Sequence, residues 1–162
     1  MASVWTIILS LFGGVAGSAF LELWWKPTRA RARFATTVGA EIKLNLARLR
    51  VAQGAVQRHP ELVPDAISFS TVGFGATVDG LRELPADLSE DVLDLYSKYE
   101  VMAAIAAAWR SLPLAGNNHA GGQLLSRQRS LAADFSRQVD PASALSESVI
   151  EKLREVALTD NL

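Results

Sequence analysis

Apolar side chains recur at alternating spacings of four and three residues along most of this chain, and this period constrains the fold more than any other feature. An α-helix places residues at these spacings on one face, whereas a strand needs a period of two. The sequence therefore predicts an all-α protein, with a small bundle of about five helices after residue 27. The predicted helices cover about residues 28–57, 66–81, 88–109, 124–139 and 141–156, with Asp140 as the cap before Pro141.

A long apolar segment precedes these helices. Between Val4 and Trp25 the only ionisable side chain is Glu22, and a helix of that length rises about 33 Å, which spans the hydrocarbon of a bilayer. A cleaved secretory signal is the alternative, but the first residues lack the positive charge that such a signal carries. We therefore predict a transmembrane anchor and interfacial segment over residues 1–27, followed by a cytoplasmic helical domain over residues 28–162.

The end of the apolar segment predicts an orientation. Tryptophan rings favour the headgroup level of a bilayer, and an excess of Lys and Arg marks the cytoplasmic side. We expect a single-pass protein of the inner (cytoplasmic) membrane, with its N-terminus outside and its basic juxtamembrane segment against anionic lipid. The predicted interfacial residues are Trp24, Trp25, Lys26, Arg29, Arg31 and Arg33.

Small residues line one face of the predicted membrane helix. In lipid, small side chains let two helix backbones approach closely, which is a main source of helix association there. Glycine is also frequent in membrane helices that make no such contact, so the pattern has a simpler interpretation as well. We predict packing against other transmembrane subunits, or self-association, through Ser10, Gly13, Gly14, Gly17 and Ser18.

The net charge of −1 conceals a strong asymmetry. Residues 26–58 hold eight Lys and Arg against the single acid Glu41, whereas the chain from residue 59 onward holds eight basic and fifteen acidic residues. The chain has no cysteine, which excludes disulfides and thiolate chemistry. We expect no catalytic residue, no cofactor and no metal site. We also expect no nucleic-acid partner, because the arginines have no aromatic residues interleaved among them.

Two polar residues and one glycine-rich stretch allow two interpretations each. Glu22 is an interfacial carboxylate, or it pairs with a polar group of a partner inside the membrane. Asn45, in the apolar stripe of the first predicted helix, fixes helix register, or its side chain is satisfied by a nearby loop carbonyl, which we favour. The stretch GFGATVDG from Gly73 has the look of a phosphate-binding loop, but its third glycine, Gly80, comes too late, so we predict a helix weakened by glycine.

Two short motifs carry a resemblance. The sequence EIKLNL begins at Glu41, and LPADLSEDVLDLY runs from Leu84 to Tyr96. In this order, after an apolar segment and a basic stretch, they resemble a loose group of uncharacterised small bacterial single-pass membrane proteins with an EI-x-x-NL helix and an LP-x-x-L helix that ends in tyrosine. The resemblance covers about residues 4–110 and implies a membrane-tethered helical domain, with no assigned activity.

These observations predict a non-catalytic role. We expect a membrane-anchored helical protein that acts as an accessory or stabilising subunit of a larger membrane protein complex. The alternative is a membrane-tethered adaptor or regulator that recruits a soluble partner through its acidic distal surface. Neither is an enzyme.

Overall fold

The described part of the chain forms three long α-helices, one short α-helix and a 3₁₀-helix. The computed structural model describes the backbone of residues 4–64, 67–112 and 121–159, and the side chains of residues 29–64, 67–112 and 122–159. All regular structure in these ranges is helical, which confirms the predicted all-α class. The elements are α1 (Val4–Arg58), α2 (Val72–Thr77), a 3₁₀-helix (Val78–Glu83), α3 (Ala86–Arg110) and α4 (Gly121–Thr159).

The predicted apolar stripes form the core. Their burial removes apolar surface from water, which stabilises a fold by about 25 cal/mol per Å². Asn45 is fully buried within the α1 stripe, and Trp109, the last residue of the α3 stripe, packs at the edge of the core. The buried stripe residues are Val38, Ile42, Leu49, Ala52 and Val56 of α1, Leu88, Val92, Leu95, Tyr99, Met102 and Ala106 of α3, and Phe135, Val139, Val149 and Leu153 of α4.

The predicted transmembrane helix is wrong. Over the side chains that the structure describes, no helix has a stretch both long and apolar enough to cross a membrane. The prediction ended a separate membrane element near Pro27, whereas α1 continues unbroken from Val4 to Arg58 and is rich in Lys and Arg from Arg29 onward. The predicted single-pass placement in the inner membrane, with the N-terminus outside and the domain in the cytoplasm, is overturned with it.

The predicted break before Pro141 is also wrong. One helix, α4, runs through Pro141 from Gly121 to Thr159, so two of the five predicted helices are one. Proline removes a single backbone donor from a helix interior, and Pro141 lies on the exposed side of α4, with buried Val139 and Ala142 next to it. Packing of the buried side holds the helix together, because most helical stability in proteins comes from such packing.

Pairs of contacting side chains define the helix directions. Arg50 of α1 binds Glu147, and Gln53, further along α1, binds Asp140, so α1 and α4 are antiparallel. Lys152 of α4 binds Asp91 in the first half of α3.

The second contact between α3 and α4 lies further along α3. There Tyr99 binds Ser146, which precedes Lys152 in α4, so α3 and α4 are antiparallel as well. It follows that α1 and α3 are parallel, and the chain between them, residues 59–85, must return along the bundle.

This returning connection differs from the predicted helix over residues 66–81. The described part is not helical until Val72, and a short α-helix is then followed by a 3₁₀-helix. Gly80 lies against α1, where an added Cβ would stand 2.6 Å from the Cβ of Phe34 and 3.1 Å from the carbonyl oxygen of Ala30. Glycine is therefore required here because two backbones approach closely.

We expect Gly80→Ala to destabilise the protein by about 1–3 kcal/mol, because the new methyl group forces the 3₁₀-helix away from α1. Gly75→Ala is the matched control, since a Cβ at Gly75 meets nothing within 4 Å and alanine is the better helix former by about 0.5–1 kcal/mol. Urea unfolding of both variants measures the difference. An equal effect of the two changes would show that the contact at Gly80 is not close.

Candidate functional site

A buried carboxylate on α1 is the centre of the polar structure inside the domain. Glu41 is 8% exposed. Its Oε1 accepts hydrogen bonds from the hydroxyl of Ser70 at 2.5 Å and the backbone N–H of Gly73 at 3.2 Å. Its Oε2 accepts from the backbone N–H of Phe74 at 2.9 Å and the hydroxyl of Tyr96 at 2.7 Å. Four donors from two other segments thus converge on one side chain.

Asn45 holds the same connection one turn further along α1. Its Nδ2 donates to the carbonyl of Ser70, and its Oδ1 accepts from the N–H of Ser70, both at 2.9 Å. This pairing confirms the interpretation that a loop carbonyl satisfies the buried amide. We call Glu41, Asn45, Ser70 and Tyr96 the latch, because these side chains fasten the connection and α3 to α1.

The local sequence explains why the connection fits the latch. The first N–H groups of a helix have no partner within it, and Glu41 accepts those of Gly73 and Phe74 at the start of α2. A Cβ at Gly73 would lie 3.1 Å from Oε2 of Glu41 and 3.1 Å from Cγ2 of Thr37. Gly73, which has no side chain, therefore lets the backbone at the start of α2 come close to the Glu41 carboxylate.

Hydrogen bonding dominates the electrostatics of the latch. Burial alone would raise the pKa of Glu41, but the hydrogen bonds from Ser70, Tyr96, Phe74 and Gly73 outweigh it and lower this pKa below its ordinary value. Burial, and then the hydrogen bond to the Glu41 carboxylate, raise the pKa of Tyr96. At neutral pH the cluster is therefore an ionised carboxylate that faces neutral donors.

Stacked aromatic rings surround the latch. Phe74 stacks on Tyr96 with ring centroids 4.3 Å apart, and Phe69 stacks on Tyr99 at 4.7 Å. Tyr96 and Tyr99 meet edge to face. Burial raises the pKa of Tyr99 to about 12, and its hydroxyl bonds to Ser146 of α4. The rings shield the hydrogen bonds of the latch from water, which strengthens them.

The chemistry of the latch is that of internal binding. Both oxygens of Glu41 are occupied by groups of the chain itself, and these hydrogen bonds favour the ionised form rather than a proton-transferring one. The two sequence motifs meet here, since Glu41 and Asn45 come from EIKLNL and Tyr96 ends LPADLSEDVLDLY. Within the described ranges, no group of three His, Cys, Asp or Glu residues is placed to hold a metal ion.

A second feature, an apolar groove, lies on the exposed side of α1. It has a volume of about 270 Å³, and Val51 within it is 75% exposed. One wall is α1 and the other is the returning connection. Arg48 of α1 donates a hydrogen bond to the carbonyl of Ser68 in this connection, at 2.6 Å. The groove residues are Leu44, Ala47, Arg48, Val51, Ala52, Pro64 and Ile67.

Basic side chains accompany this groove. Arg48 lines it, and Lys43, the neighbour of Leu44 on α1, is exposed, whereas Arg50 is paired with Glu147 of α4. Glu41, the only acid among residues 29–58, is turned into the core. A contiguous apolar patch framed by charge is typical of a protein interaction site. The groove therefore has the composition of a surface that receives an acidic, partly apolar partner.

Of the residues predicted from sequence, Arg29, Arg31 and Arg33 have described side chains, and these belong to neither the latch nor the groove lining. The side chains of the small-residue face lie outside the described residues, as do those of Trp24, Trp25 and Lys26. Arg29 and Arg33 are exposed on α1, with Arg31 partly buried between them. The small-residue face comprises Ser10, Gly13, Gly14, Gly17 and Ser18.

Sequence reasoning missed the role of Glu41 and the groove. A signal for Glu41 existed, because an acid one turn before a buried Asn, on the core side of a basic helix, needs donors. A signal for the groove also existed, since Ala40, Leu44, Ala47 and Val51 form a second stripe with spacings of four, three and four. Nothing in the sequence indicated which segment supplies the donors or the second wall.

Comparisons of this chain with known protein families, with curated proteins and with solved structures found no match. The resemblance to small bacterial membrane proteins stays a resemblance.

We expect Glu41→Gln to destabilise the protein by about 2–3 kcal/mol although the side chains have nearly the same shape. Whichever way the amide is turned, its NH₂ group faces a backbone N–H, that of Gly73 or of Phe74, and a buried unpaired donor costs about 1–3 kcal/mol. Urea unfolding followed by circular dichroism measures the loss. Glu147→Gln is the control, because Glu147 is 57% exposed and should change stability by less than about 0.5 kcal/mol. Equal effects would mean that the latch is not formed.

The latch also predicts how stability depends on pH. Since the folded-state pKa of Glu41 lies below its ordinary value of 4.5, its stabilisation is complete above that value and is lost as the pH falls through the lower, folded-state pKa. The free-energy difference between the native protein and Glu41→Gln should therefore be constant near neutral pH and shrink in acid. Unfolding curves between about pH 7 and pH 3 measure it. A difference that grows in acid would contradict the sign of the pKa shift.

Proposed function

We propose that this chain is a non-catalytic helical protein that binds a protein partner in the groove on α1. The observation that carries the proposal is the exposed apolar pair Leu44 and Val51 in a groove that Arg48 also lines. Apolar side chains this exposed, side by side in a groove, favour burial against another surface.

The two features have separate tasks in this proposal. The latch satisfies its buried charge internally and holds the connection, and the connection supplies the wall of the groove at Pro64 and Ile67. The domain thus presents a preformed site, which lowers the entropy that binding costs. A catalytic role finds no support in the latch, because donors of the chain itself occupy both oxygens of Glu41.

A photo-crosslinking amino acid in place of Val51 tests this function in the native host. We expect a discrete crosslinked product of higher mass, because the probe would lie inside the interface. Val72 is the matched control position, since it is the same residue type at 79% exposure but lies outside the groove. Val51→Glu should abolish binding without loss of stability, because Val51 is 75% exposed and such surface changes usually cost less than about 0.5 kcal/mol.

Two experimental results would contradict the proposal. If the probe at position 51 gives no product beyond those obtained at position 72, the groove is not a binding surface. The same conclusion follows if Val51→Glu leaves an isolated complex intact.

A further inference from the structure

The chain itself carries a surface that complements the groove. Helix α3 holds five acidic residues and two basic ones, and two large apolar side chains stand exposed among them, Leu93 at 49% and Val101 at 45%. We call the exposed strip Glu90, Leu93, Ser97, Glu100 and Val101 the α3 strip. Its spacings of three, four, three and one place these residues on one side of the helix, away from the buried stripe of α3.

The α3 strip and the groove match in both charge and length. Leu44 and Val51 are seven residues apart, about 10 Å along a helix, and Leu93 and Val101 are eight apart, about 12 Å. Arg48 lines the groove and Lys43 is exposed beside Leu44, whereas Glu90 and Glu100 are exposed within the strip. Opposite charges around apolar centres are the arrangement that fixes orientation in protein interfaces.

Within one chain these two surfaces do not meet. Both lie on the outer sides of their helices, and the core stripes, the connection and the latch fill the space between α1 and α3. Each molecule therefore offers one groove and one strip to other molecules.

We infer that the groove on α1 binds the α3 strip of a second copy of this chain, so that the protein self-associates by unlike surfaces. The inference rests on the proposed function, in which the groove is a binding site, and it names the partner. The asymmetry of the whole chain supports it, because the basic residues 26–58 and the acidic remainder attract each other between copies. An interface of two unlike surfaces is heterologous, which distinguishes it from the pairing of one groove with another.

Sedimentation of the full chain and of two variants tests the inference. Val51→Glu places an acid in the groove, opposite an acidic strip, and Val101→Lys places a cation in the strip, opposite a basic groove. Each variant alone should self-associate at least about tenfold more weakly than the native chain, because like charges meet in the interface. A mixture of the two should associate again, since one molecule retains its strip and the other its groove.

The control and the salt dependence complete the test. Val72→Glu should self-associate like the native chain, because Val72 lies on neither surface. Association of the native chain should weaken as salt is raised from about 0.05 to 0.5 M, because salt screens exposed charges. Circular dichroism of each variant shows whether it is folded.

Three outcomes would overturn the inference. One is a native chain that stays monomeric up to about 500 µM, because the dissociation constant of its self-association would then be too high for a specific interface. Another is a mixture that stays as weakly associated as its two components, which places self-association elsewhere. The third is self-association that neither variant affects. If the inference fails in any of these ways while the probe at position 51 still captures a different protein, the proposed function stands and only its partner is changed.

Discussion

The ionised carboxylate of Glu41 inside the bundle is the constraint on which the rest of the structure depends. A buried charge is stable only where hydrogen bonds replace its lost hydration, and here all four donors come from outside α1. Three of them belong to the connection and one to α3. The need to satisfy this single group therefore fixes the position of both segments relative to α1.

The parallel arrangement of α1 and α3 makes such a device necessary. Two parallel helices need a connection that returns over the full length of the bundle, and irregular backbone within a protein must find partners for its N–H and C=O groups. Glu41 and Asn45 provide partners at Ser70, Gly73 and Phe74. Gly80 completes the fit, because it approaches α1 more closely than a larger residue allows, and an added Cβ at Gly73 would crowd Glu41 and Thr37 at 3.1 Å.

The same fastening shapes the outer surface. Ser68, next to the latched Ser70, accepts a hydrogen bond from Arg48, and Ile67 and Pro64 then form the wall that faces Leu44 and Val51. The groove is therefore a consequence of how the connection is held. Loss of the latch would release one wall and leave α1 with an exposed apolar stripe but no defined site.

Sequence patterns predicted the parts of this structure that depend on period alone. The stripes of α1 and α3 and the internal satisfaction of Asn45 were predicted, because burial follows helical spacing. The continuity of α4 through Pro141 was not, since packing outweighed a local helix breaker. The transmembrane assignment was overturned because, over the described side chains, no helix is long and apolar enough to cross a membrane. The predicted end near Pro27 was wrong because α1 continues to Arg58. The latch joins Glu41, Ser70 and Tyr96 across large sequence separations, and no local signal specifies such partners.

Hydrogen exchange at the backbone amides of Ser70, Gly73 and Phe74 tests most directly whether the latch holds the connection. These amides donate to the side chains of Asn45 and Glu41. We therefore expect them to exchange slowly, with protection close to that of the buried part of α1. In Glu41→Gln at least one of Gly73 and Phe74 should lose its protection while that of α1 persists, because the amide leaves one of these two N–H groups without an acceptor. Exchange at Gly73 and Phe74 in the native protein as fast as at the exposed Val72 would contradict the latch and the groove that depends on it.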